Sequence, residues 1–385
     1  PRVMANSAFP PEFRALAHRM VDFIADYHEG IENRPVLSRS APGDLLEALP
    51  ERAPEEAEDW DAIFGDLERL ILPGLTHWQA PGFFAYFPCN ASAPGVLGEL
   101  LSAGLGIQGM LWVTSPAATE LETRMVTWLG RLLELPESLL DAPGGGCIQG
   151  TASEATLVAM LAARNRAPEG ERVAYASTQA HSSVAKAARI AGVTMRTIGT
   201  DADLALDPEA LRGAIEEDRA AGRVPCFVCA TVGTTSSGAV DPLTALGKVL
   251  DRSGIWLHVD AAWAGAACIC PEFRPLLDGV DCADSVCLNP HKWLLTNFDC
   301  SAFWTKDRDA LVAALGIAPE YLKNRASEEG DVIDYRDWQI PLGRRFRALK
   351  LWFVMRHYGR SGLQAHIREG VRLAEVFEEL VKGDD

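Results

Sequence analysis

The spacing of hydrophobic residues divides the chain into two regions, and in the first region this spacing is helical. Apolar residues recur every three or four positions over 11–27, which predicts an amphipathic helix with no local segment to cover its apolar side. A proline-rich, acidic stretch over 41–61 leads to a second predicted helix over 60–72, and Pro73-Gly74 ends it. We therefore expect residues 1–84 to form an N-terminal helical flap that serves in dimerisation, rather than a domain with its own core.

Helices alternate with short apolar runs beyond Phe83. Amphipathic patterns over 116–135 and 153–166 predict helices, and apolar runs at 173–175, 226–230 and 255–259 predict strands. These runs are too apolar to have a solvated face, as in strands that helices cover on both sides. The pattern predicts an α/β fold with a mostly parallel central sheet.

Size and charge exclude several classes of protein. With 385 residues, 48% hydrophobic and 23% charged, the chain can bury the core of one large globular domain with accessory segments. A formal net charge of −17 opposes binding to a phosphate backbone, so nucleic acid is not an expected partner. Because no run resembles a signal peptide or a membrane span, we expect a cytoplasmic protein that does not bind membranes.

Nine cysteines are present, and six of them lie in apolar, strand-like contexts: Cys226, Cys229, Cys268, Cys270, Cys282 and Cys287. We interpret these six as buried free thiols and expect no disulfides. An alternative is that the pairs at 226/229 and 268/270 bind zinc. Alternation along a strand would point the members of a pair apart or bury them, so no metal is expected.

Two short segments concentrate the candidate chemistry: HVDAA at 258–262 and NPHKW at 289–293. Together they supply the lysine and the acid that a pyridoxal phosphate (PLP) enzyme requires. Lys292 would hold the cofactor aldehyde as a Schiff base, and its apolar setting favours the neutral amine. Asp260 would keep the pyridinium nitrogen protonated, which offsets the cost of burying a carboxylate. The alternatives are a surface lysine and a structural ion pair.

A glycine-rich segment predicts where a phosphate would bind. Gly144-Gly145-Gly146 is followed by Ile148-Gln149-Gly150-Thr151-Ala152-Ser153, and a helix is expected to start near Ser153. Free N–H groups at a helix start suit a phosphate dianion, and glycines let the backbone approach it, so Ala152 and Ser153 are the expected contacts. The segment does not spell GxGxxG, and Thr151 stands where a P-loop requires lysine, which disfavours nicotinamide and ATP.

Six blocks in order along the chain resemble the group II PLP-dependent amino-acid decarboxylases, and within them the aromatic-L-amino-acid decarboxylases. They are LPGLTHWQAPGFFAYFP, GGGCIQGTASEATLVAML, AYASTQAHSSVAKAA, HVDAAWAGAACICPEFRPLLDGV, NPHKWLLTNFDCSAFW and DYRDWQIPLGRRFRALKLWFV. The resemblance implies fold type I of the PLP-dependent transferases, similar to aspartate aminotransferase, with residues 85–345 as the large PLP-binding domain. It also implies that 346–385 is only the start of a small C-terminal domain, truncated in this chain.

The resemblance assigns cofactor contacts to further residues. His181 would stack on the cofactor ring and help catalysis, Thr235 would contact cofactor or substrate, and Ala262 would pack against the ring. Asn289 would join the phosphate contacts, and His291 would contact the cofactor beside Lys292. His258 is expected only to support Asp260.

Tyr321 is the residue that the resemblance assigns to proton transfer. It precedes a polar segment without periodicity over 324–331, as expected of a lid that closes over substrate. Its hydroxyl would protonate the substrate Cα after carbon dioxide has left. Family members with phenylalanine at this position tend to be oxidative aldehyde synthases, so tyrosine favours simple decarboxylation.

The resemblance also places a substrate pocket. The family has an aromatic-lined pocket, and the matching residues here are Trp78, Tyr86, Phe87 and Pro88. Such residues can equally belong to the hydrophobic core. Three positions differ from animal members: Cys89 stands where threonine is usual, and Gln108 and Met110 replace Ile and Phe in a loop that reaches the partner subunit's site. At the position of Gly343, glycine accompanies indole substrates among plant members.

We therefore predict an enzyme of carboxylic acid metabolism that decarboxylates tryptophan, 5-hydroxytryptophan, DOPA, tyrosine or phenylalanine to the arylalkylamine and carbon dioxide. The alternatives are an aromatic aldehyde synthase, a decarboxylase of a non-aromatic amino acid, a zinc protein and a non-catalytic binding protein. A homodimer is expected because the first helix exposes an apolar side and because, by resemblance, each active site borrows residues from the second subunit.

Overall fold

The computed structural model describes residues 9–87, 91–317 and 332–384. Two compact units are present, Pro1–Cys89 and Asn90–Asp385. The helices of the first unit are α1 (Phe13–Glu29), α2 (Asp44–Ala48) and α3 (Trp60–Asp66). The helices of the second unit are α4 (Ala93–Leu105), α5 (Pro116–Leu132), α6 (Glu137–Leu140), α7 (Ala152–Arg166), α8 (Ser182–Ala191), α9 (Pro208–Ala220), α10 (Leu243–Leu250), α11 (Pro290–Trp293), α12 (Arg308–Leu315) and α13 (Arg347–Lys382).

The first unit confirms the helical period of the N-terminal segment. The predicted first helix is α1, and the predicted second helix begins as α3, where Asp59 accepts a hydrogen bond from the Ala62 amide at 2.8 Å. Irregular helical turns then continue from Leu67 to Gly74. Near the end of α1, the Tyr27 hydroxyl lies within hydrogen-bond distance of His77 Nδ1, at 2.8 Å. This contact connects the helix to the later part of the same unit.

A seven-stranded sheet forms the centre of the second unit. Its strands are β1 (Gly145–Gln149), β2 (Arg172–Ser177), β3 (Thr194–Ile198), β4 (Val224–Thr231), β5 (Trp256–Asp260), β6 (Ser285–Leu288) and β7 (Ser301–Thr305). The spatial order is β1-β7-β6-β5-β4-β2-β3. Only β7 runs antiparallel to its neighbours, so the prediction of a mostly parallel sheet is confirmed.

Helices cover both faces of this sheet, which explains why its central strands are mostly apolar and buried. Met125 of α5, Leu246 of α10 and Leu351 of α13 belong to the core on one face. Val158 of α7 and Val184 of α8 belong to the core on the other face. Because side chains alternate along a strand, each strand contributes to both cores.

The segment 346–385 is almost entirely helical. It forms α13, whose helical geometry is interrupted at Gly359, where φ is 62° and ψ is 178°. Glycine adopts this backbone conformation without the steric penalty of a Cβ, so the helix can bend there. The assignment of this segment to a small C-terminal domain stays a prediction.

The cysteines follow the sequence prediction with one correction. The described cysteines are free, and Cys226, Cys229, Cys268, Cys270 and Cys287 are buried. Cys282, which we predicted to be buried, is exposed because it lies in a 3₁₀ turn before β6 rather than in the strand itself. Within the described ranges, three or more His, Cys, Asp or Glu side chains are nowhere grouped to hold a metal ion. Among the helices that the structure describes, none combines the length and the hydropathy of a membrane span.

Candidate active site

The predicted functional residues follow the carboxyl ends of five strands that point in the same direction. Because these ends share one edge of a mostly parallel sheet, the sheet brings together segments that are far apart in sequence. The segments are Gly150–Ser153 after β1, His181 after β2, Thr234–Thr235 after β4, Asp260–Ala262 at the end of β5 and Asn289–Lys292 after β6. This edge is where an open α/β sheet binds ligands.

Backbone hydrogen bonds align the segments that carry Asp260 and Lys292. In the sheet register, Asp260 pairs with Cys287 on β6. Beyond the paired residues, the Ala261 amide donates to the Cys287 carbonyl at 3.0 Å, and the Asn289 amide donates to the Ala262 carbonyl at 2.9 Å. The two segments therefore leave the sheet side by side, which fixes the acid relative to the lysine.

Asp260 is a nearly buried carboxylate. Its residue exposure is 5%, and Oδ1 accepts hydrogen bonds from the Ala262 amide at 3.1 Å and the Cys287 thiol at 3.7 Å. None of the residues that the structure describes donates to Oδ2. An oxygen of this kind can receive a proton or a hydrogen bond from a bound heterocycle, which is the role predicted for Asp260.

Lys292 lies in α11, a single helical turn whose backbone is closed by a 2.9 Å hydrogen bond from the Lys292 amide to the Asn289 carbonyl. Burial lowers the pKa of the Lys292 ammonium below the ordinary lysine value, and the nearby Asp260 and Cys287 oppose this effect. A larger fraction of neutral amine makes this lysine a better nucleophile toward an aldehyde than an exposed lysine.

The ring of His291 is held in one orientation beside this lysine. Its Nδ1 accepts a 2.8 Å hydrogen bond from the Cys300 amide, so the proton of the neutral ring is on Nε2. Burial, together with the charge of Lys292, lowers the pKa of His291 to about 4. At neutral pH, His291 therefore offers an uncharged N–H donor at the predicted cofactor site.

The start of α7 fits the predicted phosphate site. Thr151 caps the helix by accepting from the Glu154 amide at 3.3 Å, and the Gly150 amide donates to Glu154 Oε2 at 3.0 Å. The amides of Ala152 and Ser153 have no acceptor in the described part of the chain, as expected at a helix start. A Cβ on Gly150 would come within 3.0 Å of Glu154 Oε2, so glycine keeps this turn compact.

The side chain of Asn289 also fits the predicted phosphate site. The residue is 2% exposed, and its Oδ1 is buried without a hydrogen-bond partner among the described residues. A buried amide in a native protein normally has partners, since leaving it unpaired is unfavourable. Because amide oxygen and nitrogen are readily interchanged, Asn289 can serve a phosphate as donor. The donors at α7, the amide of Asn289, the acid and the lysine together fit PLP.

Two other predicted cofactor contacts lie in exposed positions at the same edge. His181 caps α8, and its Nδ1 accepts from the Ser183 amide at 3.2 Å, which leaves Nε2 to carry the ring proton. Thr235 is exposed in the loop after β4, where its neighbour Thr234 makes the structural hydrogen bonds to Ser237 and Ala239. Contacts of His181 and Thr235 with the cofactor stay predictions.

The residues predicted to contact the substrate occur in both units. In the first unit, Tyr86 stacks on Trp78 at a ring-centroid distance of 5.8 Å, and Phe87 is half-buried. In the second unit, Gln108 and Gly343 are in contact, and the Met110 carbonyl accepts from the Arg336 amide at 3.1 Å. Pro88, Cys89 and Tyr321 lie outside the described residues.

A buried ion pair next to β1 was not predicted from the sequence. Arg344 Nη2 donates to Glu122 Oε1 at 2.6 Å and to the Ile148 carbonyl at 3.0 Å. The same Glu122 oxygen accepts from the Ile148 amide at 2.7 Å. The pair thus holds the strand that leads into Gly150. Its only signal in the sequence is a charged residue on the apolar side of the 116–135 helical pattern.

We expect Arg344→Met to destabilise the protein by about 3–5 kcal/mol, because it leaves Glu122 buried without its counter-charge. Burial already raises the pKa of Glu122, and Arg344 opposes that effect, so the variant raises this pKa further. A raised carboxyl pKa means that the folded state binds the proton more tightly, so stability increases as pH falls. Urea denaturation should therefore show a smaller loss at about pH 5.5 than at about pH 8.

Arg345→Met is the matched control for this prediction. It removes an ion pair with Glu99 whose arginine side chain is 62% exposed, so the loss should be below about 1 kcal/mol. Equal losses in the two variants, or an Arg344→Met loss that does not depend on pH, would contradict the buried-pair interpretation.

Comparison with known proteins agrees with this site. The model of the pyridoxal-dependent decarboxylase conserved domain matches residues 42–385. Phenylacetaldehyde synthase of Arabidopsis thaliana is 54% identical over 97% of this chain and 79% of the relative. Tryptophan decarboxylase 2 of Oryza sativa subsp. japonica is 52% identical over 97% of this chain and 78% of the relative. The structure of Oryza sativa TDC with PLP and tryptamine has a TM-score of 0.96 at 46% identity, covering 99% of this chain and 81% of that chain.

These matches extend over nearly the whole chain and include both segments that supply Asp260 and Lys292. They confirm the predicted α/β fold, the enzymatic class and PLP as the cofactor. The chain belongs to the pyridoxal-dependent decarboxylase family.

Proposed function

We propose that the chain decarboxylates an aromatic L-amino acid to the corresponding arylalkylamine and carbon dioxide. The observation that carries the proposal is that Lys292, whose pKa is lowered by burial, and the nearly buried acid Asp260 lie on adjacent segments at the carboxyl edge of the sheet. Tryptophan, 5-hydroxytryptophan, DOPA, tyrosine and phenylalanine are the candidate substrates.

Each part of the site has a distinct task in this proposal. Bound PLP supplies a sink for the electrons that remain when carbon dioxide departs. Lys292 binds the cofactor aldehyde through its neutral Nζ, and Asp260 holds a proton at the ring nitrogen. The amides of Ala152 and Ser153 and the side chain of Asn289 bind the phosphate. Four further residues would contact the cofactor ring or lie beside it: Ala262, His181, His291 and Thr235.

Two observations support an aromatic substrate. Both curated relatives described above have names that denote aromatic compounds, and the structure with PLP contains tryptamine. In the first unit, Tyr86 is 85% exposed although it stacks on Trp78, and its φ of 57° is rare for a residue with a Cβ. A strained, exposed aromatic residue is suited to contact a flat ligand. Phe87, Pro88 and Cys89 follow directly in sequence and complete the proposed pocket.

The test is to add PLP to the purified protein and to measure amine and carbon dioxide from L-tryptophan, L-tyrosine and L-DOPA, with L-glutamate as the non-aromatic comparison. We expect a visible absorption band of bound PLP and equal amounts of amine and carbon dioxide from at least one aromatic substrate. A band without any product would favour a non-catalytic binding protein, and turnover of L-glutamate alone would overturn the aromatic assignment.

An aromatic aldehyde synthase is the second candidate, favoured by the 54% identity to phenylacetaldehyde synthase. Tyr321 argues against it, because its hydroxyl can protonate the substrate Cα and so commit the reaction to the amine. We expect Tyr321→Phe to replace most of the amine with aldehyde, ammonia and hydrogen peroxide, with consumption of one dioxygen for each aldehyde. An oxygen electrode and mass spectrometry of the products measure this change.

Tyr175→Phe is the control for the Tyr321 variant. It removes a buried hydroxyl that donates to Asp218 at 2.6 Å on the opposite side of the sheet from α7, so we expect lower stability and an unchanged product. A Tyr321→Phe enzyme that still releases only amine would mean that another group delivers the proton.

Gly343 is proposed to set the size of the substrate. A Cβ at this position would meet Gln108 Nε2 at 3.3 Å, so a larger residue must displace the Gln108 side chain. We expect Gly343→Ser to lower kcat/KM for tryptophan about tenfold or more relative to that for tyrosine, because the bicyclic ring needs more space. The double variant with Gln108→Ala should recover most of the loss. No recovery would show that Gln108 does not cause the effect.

We also propose a cytoplasmic homodimer. One side of α4 exposes four leucines, which are Leu97, Leu100, Leu101 and Leu105. This exposed apolar side supports a dimer in which a second copy of the chain buries it. Met110 and Gln108 follow α4 directly and would reach the site of the partner subunit. Sedimentation equilibrium tests the dimer, and cell fractionation tests the location.

A further inference from the structure

We propose that His258 is a positioning residue that fixes the start of α7 relative to Asp260, and thereby sets the distance between the phosphate end and the ring-nitrogen end of the PLP site. This inference rests on PLP binding at the site described above. It concerns a buried histidine that the chemistry of decarboxylation does not use.

His258 bridges the sheet and α7 through two hydroxyl groups. Its ring is 0% exposed and lies between the rings of Phe227 and Phe303, at centroid distances of 5.9 Å and 6.3 Å. Nδ1 is 2.9 Å from Ser285 Oγ on β6, and Nε2 is 3.4 Å from Thr156 Oγ1 on α7. The histidine is therefore the central member of a hydrogen-bonded bridge.

The direction of each hydrogen bond in this bridge follows from its ends. The Ala152 carbonyl can only accept, so the Thr156 hydroxyl donates to it, at 2.9 Å. The Thr156 oxygen therefore accepts from His258, which places the histidine proton on Nε2 and makes Nδ1 the acceptor for the Ser285 hydroxyl. Ser285 Oγ in turn accepts from Trp256 Nε1 at 2.8 Å. One unbroken series of donors runs from β5 to the first residue of α7.

The histidine is uncharged in this environment. Burial lowers the pKa of His258 to about 4, and the charge of Asp260 opposes the shift. The neutral ring has one donor and one acceptor, as the bridge requires, and protonation would direct a second N–H at the hydrogen that Ser285 donates. The bridge therefore keeps one arrangement at neutral pH.

The bridge connects the two ends of the cofactor site. His258 and Asp260 are two residues apart on β5, so their side chains are on the same face of the sheet, roughly 7 Å apart along the strand. Thr156 is one helical turn beyond Ala152, whose amide is a predicted phosphate donor. A shift of α7 along the sheet would change the separation of Ala152 from Asp260, and the bridge opposes that shift.

The opposite end of α7 has its own attachment, which provides a matched control. The Arg166 guanidinium lies 4.6 Å from the centroid of the Trp256 ring, and Nη1 is 3.3 Å from Asp284 Oδ1. This contact holds the same helix to β5 and to the residue that directly precedes β6. It is about ten residues, or roughly 15 Å, from Thr156 along the helix.

The experiment compares PLP affinity with stability in the purified protein. The dissociation constant of PLP is measured by absorbance titration after removal of the cofactor, the orientation of bound PLP by visible circular dichroism, and stability of the PLP-free protein by urea denaturation. The variants are His258→Phe, Thr156→Val, their combination, Thr156→Ser and the control Arg166→Met.

We expect His258→Phe and Thr156→Val each to raise the dissociation constant about three- to tenfold, which corresponds to one lost hydrogen bond, and to change the visible circular dichroism. The combined variant should be no worse than the larger single effect, because both changes break the same bridge. Thr156→Ser should bind PLP like the wild type, and Arg166→Met should lose stability while its PLP affinity is retained.

If the wild type binds PLP, two results would overturn the inference. The first is that Thr156→Val and His258→Phe leave the PLP affinity and the visible circular dichroism unchanged. The second is that Arg166→Met loses as much PLP affinity as those two variants do. If His258→Phe fails to fold, the comparison of Thr156→Val with Thr156→Ser decides the question. A wild-type protein that does not bind PLP would instead overturn the proposed function, and this inference with it.

Discussion

Lys292→Ala is expected to lower kcat by at least about a thousandfold, equivalent to about 4 kcal/mol of transition-state stabilisation. Alanine cannot form a bond to the cofactor aldehyde, and it cannot recapture the cofactor when the amine product leaves. The visible absorption band that depends on this bond should disappear as well. Addition of a small primary amine should restore part of the activity, since it replaces the missing nucleophile.

The control for this variant is Lys248→Ala, which removes an exposed lysine from α10. It should behave like the wild type. Reduction of the PLP-bound protein with borohydride, followed by peptide mapping, should locate the cofactor on the peptide that contains Lys292. A cofactor adduct on another lysine, or a Lys292→Ala enzyme that retains the band and the activity, would show that the assignment is wrong.

The pH dependence of PLP capture provides a further check on Lys292 within the same experiment. Burial lowers the pKa of this lysine, so its neutral, nucleophilic form is present at lower pH than that of an exposed lysine. The rate of PLP binding to the PLP-free protein should therefore rise with pH and level off below the range in which ordinary lysines titrate.

Asp260→Asn is expected to lower kcat by about a hundredfold or more, equivalent to about 2.7 kcal/mol. The amide is nearly the same size as the carboxylate but has no negative charge to hold a proton at the cofactor ring nitrogen. The PLP-free variant should be as stable as the wild type or more stable, because Asp260 is a nearly buried carboxylate with few donors in the protein itself. Steady-state kinetics and urea denaturation measure the two effects.

Asp241→Asn is the matched control, because Asp241 is also buried, at 1% exposure, and lies on the loop that follows β4. Its carboxylate accepts from the Leu206 and Thr231 amides, each at 2.7 Å, so it holds backbone rather than cofactor. We expect this variant to lose stability while kcat of the PLP-saturated enzyme changes little. An N-methylated PLP, which has a permanent positive charge on the ring nitrogen, should partly restore Asp260→Asn. An Asp260→Asn enzyme with normal kcat would remove the acid from the mechanism.

Much of the fold was predictable because its elements are defined by local patterns. The alternation of amphipathic helices with fully apolar runs predicted a mostly parallel sheet, and helix starts such as that of α7 agree with the sequence to within one residue. Asp260 and Lys292 were recognisable as candidates because a charged residue at the end of an apolar run is unfavourable unless it has a partner or a function. These features depend on neighbouring residues in sequence.

The pairings between distant segments were not predictable in this way. Glu122 meets Arg344 across 222 positions, and His258 meets Thr156 across 102 positions. Neither pair has a local signal that identifies its partner. Three of the four residues lie in otherwise ordinary helices or strands, and Arg344 lies in the loop that precedes α13. Cys282 shows the same limit, since one turn before β6 was enough to expose a residue that its apolar neighbours suggested was buried.

The sequence by itself determined the alternation of helices with apolar strands, the cofactor class and the two candidate residues for its central chemistry, since residue type and spacing indicate these. The tertiary structure alone decided the state of those residues: the lowered pKa of Lys292, the backbone bonds that align it with Asp260, and the bridge from His258 to α7. The physical reason is that burial and hydrogen-bond partners depend on the strand order β1-β7-β6-β5-β4-β2-β3, which brings together segments that no local period relates.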